Sequence, residues 1–247
     1  MRINNINYLL LLMLTIMAGA CSKQKTPEES PATVMLFNAL EDGITIRANL
    51  SGQHPIQYNT ALLLPPRNHT KIHSKQAVQP FAFYASADTM PKDAPVWTGD
   101  LPLPRGNIYS LFLYGNQQQA ETLLLEEKLL GFSKDSVTYL RFANMSNGQP
   151  VSVNIQGKPH GSLINQLNYK TASAFIPLPA DKTVVEYVFE VHDAVTEALL
   201  VTYTASDVGD YSDLNNYLHR SLTLVLTGKR GGAGDNQLQL TGFNHYN

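Results

Sequence analysis

Along Ile44–Leu50 apolar and polar residues take turns: Ile44, Ile46, Ala48 and Leu50 against Thr45, Arg47 and Asn49. A period of two marks a strand with one face in a core and the other in water. Phe81, Phe83 and Ala85 alternate with Ala82 and Tyr84 in the same way. In Thr183–Val191, Val185, Tyr187, Phe189 and Val191 stand against Val184, Glu186, Val188 and Glu190, and the two glutamates mark the solvent side. The remaining apolar segments are short runs: Val34–Phe37, Leu62–Leu64, Val96–Leu103, Ile108–Tyr114, Val137–Phe142, Val151–Ile155, Ser173–Leu178, Leu199–Thr204, Leu222–Leu226 and Gln237–Phe243. Pro, Gly and Asp punctuate them, at Asp42-Gly43, Pro65-Pro66, Pro104-Arg105-Gly106, Asp193–Glu197 and Arg230–Asn236. Ala120–Leu130 fits a helix by propensity and a closing strand by position. Short strands between turn signals, with little helix signal, predict an all-β sandwich.

The pattern is used twice. Phe37, Gly43, Asn49 and Gly52 meet Phe142, Gly148, Asn154 and Gly157 at a constant offset of 105 positions. The closing strands match at 113, through Leu111/Leu224, Leu113/Leu226 and Gly115/Gly228, so the second copy carries eight extra residues in loops. The reading is two tandem Ig-like β-sandwich domains, 33–131 and 132–247.

Residues 1–20 have the parts of an export signal: Arg2, the apolar run Tyr8–Met17 and the small residues Ala18-Gly19-Ala20. The run is shorter than the roughly 20 apolar residues of a membrane span. Cys21, the only cysteine, follows directly, which resembles the lipobox of bacterial lipoproteins, with Ala18 where Leu is usual. The resemblance implies acylation at Cys21, and two or more acyl chains anchor stably. Ser22 in place of the inner-membrane retention Asp favours the outer membrane, on its periplasmic or outer side. Residues 21–32 are polar and Pro-containing and read as a flexible tether.

Composition narrows the functions. With 43% hydrophobic and 15% charged residues the chain is globular. The formal net charge is −2, without a basic block, which speaks against nucleic acid. One cysteine allows no internal disulfide.

The phrases YLRFANMSNGQPVSVNIQG and IYSLFLYG resemble the family called domain of unknown function 4397. Its opening strand matches Arg141, Phe142, Asn144 and Ser146, and its later strand matches Tyr109, Ser110, Leu111, Leu113 and Gly115. Copy one departs from it, with Leu36 in place of Arg141 and Asn38 one residue early. The resemblance implies exported lipoproteins of the Bacteroidota type, tandem Ig-like domains, and no known activity or catalytic residues.

Candidate chemistry is sparse. His69 and His73 would share a helix face as metal ligands, but no third ligand accompanies them, and a polar strand or loop is the plainer reading. Asp207, Asp210 and Asp213 offer carboxylates for calcium, without EF-hand spacing or a closing Glu. His192 and Asp193 are neighbours on a strand and point to opposite faces. The glycine run at 231–234 joins two strands and reads as a turn rather than a phosphate loop. Trp97, Tyr109, Tyr114, Tyr203, Tyr211 and Tyr217 could form a sugar-stacking platform, Trp97 first among them. The expectation is a lipid-anchored, non-enzymatic envelope protein for adhesion or ligand binding, without metal or cofactor. The alternatives are a pilus subunit or anchor, and a carbohydrate-binding accessory of an outer-membrane uptake system. The partners expected are the membrane, through Cys21, and a glycan or envelope protein.

Overall fold

A computed structural model describes residues 30–53, 56, 60–88, 90, 92–130, 135–212 and 215–245. The export signal, Cys21, residues 21–29 of the tether and Asp213 lie outside the described residues. The first set of strands is β1 (Ala32–Leu40), β2 (Ile46–Asn49), β3 (Leu62–Leu64), β4 (His69–Ser74), β5 (Val78–Ala85), β6 (Trp97–Pro102), β7 (Ile108–Asn116) and β8 (Gln119–Glu126). The second is β9 (Val137–Asn144), β10 (Val151–Ile155), β11 (Ile164–Leu167), β12 (Thr171–Ala172), β13 (Ile176–Pro179), β14 (Glu186–Asp193), β15 (Leu199–Ser206), β16 (Ser221–Thr227) and β17 (Gln239–Asn244).

Each set makes two sheets with the same pairing. Sheet orders β4-β1-β7-β8 and β3-β2-β5-β6 in the first are matched by β12-β9-β16-β17, with β13 also on β9, and β11-β10-β14-β15 in the second. In both, the opening strand runs parallel to the penultimate strand, β1 with β7 and β9 with β16, and the other pairs are antiparallel. Val34, Leu36, Leu40, Ile46, Phe81, Phe83 and Leu111 fill one core. Leu140, Phe142, Val151, Val153, Phe189, Leu224 and Leu226 fill the other. The all-β sandwich class read from the sequence is the observed one.

A third apolar layer joins them. Met35, Phe37, Ala39, Phe112 and Tyr114 pack against Ala143, Met145, Val225 and Phe243. The sheets of β1 and β9 therefore lie back to back, and the molecule is a stack of four sheets. Strands covered on both faces need apolar residues throughout. β16 is buried along its whole length, and so are most of β1, β7 and β9.

The repeat is not gapless. Asn38 and Asn144, 106 apart, do the same work. Asn38 Nδ2 donates to the Leu64 carbonyl at 3.1 Å, and Asn144 Nδ2 to the Leu167 carbonyl at 3.1 Å. Their Oδ1 atoms accept from the N–H groups of Leu40 and Ser146. Each thus ties an inner sheet to the edge of its outer sheet. The offset of 105 holds from Gly43 to Gly52, but in β1 it pairs Phe37 with Phe142, which face different layers. A one-residue slip in a strand exchanges its faces, so Leu36 is the true counterpart of Phe142. The turn after β1 is one residue longer than the turn after β9. At the other end, Gly115 and Gly228 both have φ near +90°, and a Cβ at either would strike a backbone carbonyl, of Gln119 or Gln237.

Other local departures have simple causes. Gln119–Glu126 is a strand, laid along β7 from Tyr109 to Asn116. Of the expected Ser173–Leu178 strand only the part from Ile176 is a strand, in β13; β12 ends just before it, and the Ser173 hydroxyl between them accepts from the Phe142 N–H at 3.1 Å. β14 starts at Glu186, because Asp181 turns the chain by accepting from Thr183 N–H and hydroxyl. Polar β4 and β11 gave no clear alternation and are strands all the same.

The inner layer holds a buried ion pair. Arg141 on β9 and Glu127 just past β8 form a two-armed salt bridge, with side chains 6% and 1% exposed. Arg141 Nε donates to Thr223 Oγ1 at 2.9 Å, Nη2 to Ser110 Oγ at 3.3 Å, and its guanidinium lies over the Phe175 ring. Around the rim, Lys170 donates to both Glu121 oxygens, and Arg67 Nη2 to the carbonyls of Asp235 and Gln237.

Removing one partner strands a buried charge. Glu127→Ala is expected to cost about 3–5 kcal/mol in urea unfolding, while Arg141→Met combined with Glu127→Leu recovers most of it. A Glu127→Ala loss below about 1 kcal/mol would mark the pair as solvated.

His245 sits in the same layer, its Nε2 2.7 Å from Thr223 Oγ1. Burial first, then the charge of Arg141 and the nearby His69, push it down to about 3, and burial lowers His69 too. The unfolded chain takes up these protons near pH about 6.5 and the folded chain does not. The stabilisation is therefore complete above that pH and is lost as pH falls toward about 3. The His245 share is at most about 1.4 kcal/mol per pH unit. Urea midpoints for wild type are expected to fall between pH 6.5 and 4.5, above the carboxylate range, and His245→Gln to fall less steeply.

Candidate functional site

With the inner sheets spent on each other, the outer faces of the β2/β5/β6 and β10/β14/β15 sheets are the broad surfaces left to water. On β5, Phe81 and Phe83 point to the core, so Ala82 and Tyr84 point out. Pairing carries this to β6, where Thr98 and Asp100 face out beside Ala82 and Pro80. These residues, with Asn49 and Gln53, line a cleft of about 430 Å³. Asn49 shapes its rim by donating to the Gln53 carbonyl at 2.9 Å and accepting from the Ser51 N–H and hydroxyl. Tyr84 is buried in the wall, and burial raises its hydroxyl above the ordinary range. Asp100 and Gln53 are exposed. A carboxylate and an amide suit neutral, hydroxyl-rich or amide-rich ligands.

Trp97 is not part of that surface. It pairs with Phe83 and shares its inward face, with ring centroids 5.6 Å apart. Gly99 makes room for it, since a Cβ there would sit 2.9 Å from the indole. The other platform aromatics are dispersed. Tyr109 is in the first core and Tyr114 is in the layer between sandwiches. Tyr203 and Tyr217 pack on the second core, and Tyr211 is exposed, with its hydroxyl 2.9 Å from Ser136 Oγ.

The outer face of β10 and β14 holds a polar niche. Ser152 Oγ lies 3.0 Å from His160 Nε2, and the His160 and His192 rings meet edge to face with centroids 5.3 Å apart. His192 Nε2 is 3.4 Å from Glu190 Oε2, and Asn154 Nδ2 donates to the same oxygen at 2.8 Å. The Asn154 bond foremost holds the Glu190 carboxyl below its usual range. A serine against a histidine suggests a nucleophile and its base. Ser152, however, is fully buried, so its hydroxyl fastens the His160 turn to the sheet.

The remaining candidates separate. Asp193 points away from His192, accepting from Val195 N–H, Thr196 N–H and Arg230, which hold its carboxyl far below the usual range. His69 and His73 lie on β4, where residues four apart are about 13 Å from one another. His69 stacks near Phe243, and His73 Nδ1 is 3.2 Å from Thr33 Oγ1. Asp207 and Asp210 line a recess of about 220 Å³ with Asn215. There Asn215 Nδ2 donates to the carbonyls of Asp207, Val208 and Asp210, and Asp210 accepts from the Ser212 N–H and hydroxyl. Asn215 thus ties the loop through its backbone carbonyls, and Ser212 holds the Asp210 carboxylate. Among the described residues no group of three or more His, Cys, Asp or Glu is placed to hold a metal. The buried Arg141–Glu127 pair and the Asn215 staple were not singled out from sequence, because lone polar residues carry no spacing signal.

No protein-family model and no curated protein matches the chain. Among solved structures it resembles the Bacillus anthracis TIE protein at 9% identity and a TM-score of 0.24, over 81% of this chain and 34% of that one. A streptococcal virulence factor described in alpha-glucan binding matches at 8% identity and 0.26, over 85% and 97%. A family CBM26 module of Eubacterium rectale Amy13K, solved with maltoheptaose, matches at 10% and 0.25, over 87% and 97%. The chain thus spans about a third of the length of the first of these.

If the Asn215 amide holds this loop together, Asn215→Ala should lower the thermal midpoint by a few degrees, the loss of a half-buried amide's bonds being worth about 0.5–1.5 kcal/mol. Millimolar calcium should not restore it.

Proposed function

We propose that this chain is an exported, lipid-anchored β-sandwich protein of the bacterial outer membrane that binds a ligand or surface partner without performing chemistry on it. The observation that carries the binding half is the back-to-back packing of the inner sheets, which leaves recognition to the two outer faces. The anchoring half rests on Cys21 as the sole cysteine, placed directly after the small residues of an export signal. The resemblance to domain of unknown function 4397 agrees with the anchoring half. A second reading, capture of a hydroxyl-rich ligand such as a glycan, is favoured by the Asp100 and Gln53 groups at the β5/β6 cleft. Among the described residues no helix is long and apolar enough to cross a membrane.

Growing cells with an alkyne-tagged fatty acid tests the anchor. Label is expected on the wild-type chain, and Cys21→Ser should lose the label and leave the membrane fraction. An unlabelled wild type would overturn the anchoring. Screening the chain on a glycan array tests the cleft. Asp100→Ala is expected to weaken any binding by about tenfold or more, the worth of one charged hydrogen bond.

A further inference from the structure

Each of the four sheets ends in two edge strands, and an edge offers unpaired N–H and C=O groups to any strand that meets it. Most edges here are blunted. β3 has three residues and runs into Pro65-Pro66, while β4 carries Lys71 between two histidines. β6 contains Gly99, Asp100 and Pro102, and β8 contains Glu121 and Glu126. β11 is four residues with an irregular register, β12 is two residues, β13 has two prolines, and β17 has Gly242 within it. Among the described residues β15, LLVTYTAS, is the one edge of eight residues with no charge, proline or glycine.

The pairing fixes which of its groups face outward. The Val188 carbonyl accepts from Gln156 on the β10 side, whereas the Val185 carbonyl accepts from Val208 and Asp193 N–H donates to Ala198 on the β15 side. Backbone groups alternate along a strand, so Tyr187, Phe189 and Val191 bond to Ala205, Tyr203 and Val201. Thr202 and Thr204 therefore turn their N–H and C=O away from the sheet. Their side chains are exposed, while Val201, Tyr203 and Ala205 pack on the core.

We infer that β15 is a self-association edge, and that its partner is β15 of a second copy of this chain. An antiparallel pair of one strand with itself places Thr202 opposite Thr202 or Thr204 of the other copy. On the outer face this gives threonine and leucine neighbours, and on the inner face Val201, Tyr203 and Ala205 neighbours, with no charge within the strand. Cross-strand threonine pairs are favourable. The product is one eight-stranded sheet from two four-stranded ones, with a two-fold axis and a closed, isologous contact. A partner of different sequence has no such automatic match.

Sedimentation equilibrium from micromolar to millimolar concentration, on the full chain carrying Cys21→Ser, tests this independently of the anchor. The chain is expected to pass from monomer to dimer. Thr202→Lys should halve the mass at the top concentration, and Gln119→Lys on the β8 edge should leave it unchanged. Thr202→Pro, which removes only an outward N–H, should act like Thr202→Lys. In hydrogen exchange the Thr202 and Thr204 amides should gain protection as concentration rises. A monomer throughout, or a dimer unaffected by both Thr202 variants, would overturn the inference.

Discussion

The packing of one sandwich's inner sheet on the other's is the contact on which the rest of the structure depends. Burial of apolar area drives it, with Phe37, Phe112 and Phe243 in mutual ring contact at 5.6 to 6.2 Å. Burial alone is non-directional and would tolerate a rotated docking. The Arg141–Glu127 pair is not tolerant. Its guanidinium donates to Glu127, Ser110 and Thr223, and two of these three come from the other sandwich. A buried guanidinium without those acceptors would be costly, so the polar group selects one orientation among those that greasy surfaces allow.

That orientation has consequences outward. Sheets used on both faces cannot present a surface to solvent, so the exposed faces are those of the outer sheets and their connecting loops. The cleft at Asp100 and the niche at Glu190 then sit on opposite outer layers, held by a core rather than by a linker. Such a body holds two surfaces in a fixed relation, so a partner that met both would leave little ordering to be done on binding.

The sequence was legible where one face of a strand is wet. Ile46 and Ala48 alternate with Arg47 and Asn49, and Phe81 and Phe83 with Ala82 and Tyr84, because only one face of each strand turns to the core, and those strands lie where the alternation puts them. Val34–Phe37, Ile108–Tyr114 and Leu222–Leu226 read only as apolar runs. They have two buried faces, and nothing in a run says what covers the second. The offset of 105 was a true signal in β2 and β10 and a false one in β1, where matching phenylalanines hid an extra turn residue. Residue type was the poorer guide there. The buried amides of Asn38 and Asn144 carry the register, because an amide between sheets has fixed partners and a phenylalanine has none. Trp97 was drawn toward function by being the only tryptophan, yet Gly99, two residues on, is the neighbour that gives its ring a place inside. Asp207 and Asp210 suggested an ion because carboxylates in a loop do. Asn215, whose amide ties the backbone of that loop, lies eight residues beyond Asp207, where spacing gives no hint.

Once the register is corrected, the central layer becomes intelligible as a pairing of like with like that had to become unlike. Positions 106 apart, in β1 and in β9 with the residue after it, both face it: Met35 and Arg141, Phe37 and Ala143, Ala39 and Met145. Positions 113 apart in β7 and β16 also face it: Ser110 and Thr223, Phe112 and Val225. In three of these pairs a large side chain on one copy corresponds to a small one on the other. Two identical sheets back to back would set bulk against bulk, and would bring two buried arginines into one dry layer. Having Met35 where the other copy has Arg141 leaves a single positive charge, and Glu127 neutralises it. The hydroxyls of Ser110 and Thr223, alike in both copies, then converge on that one guanidinium. Complementary volumes and a single paired charge are what two independent sandwiches would not need, and what one four-layered body does.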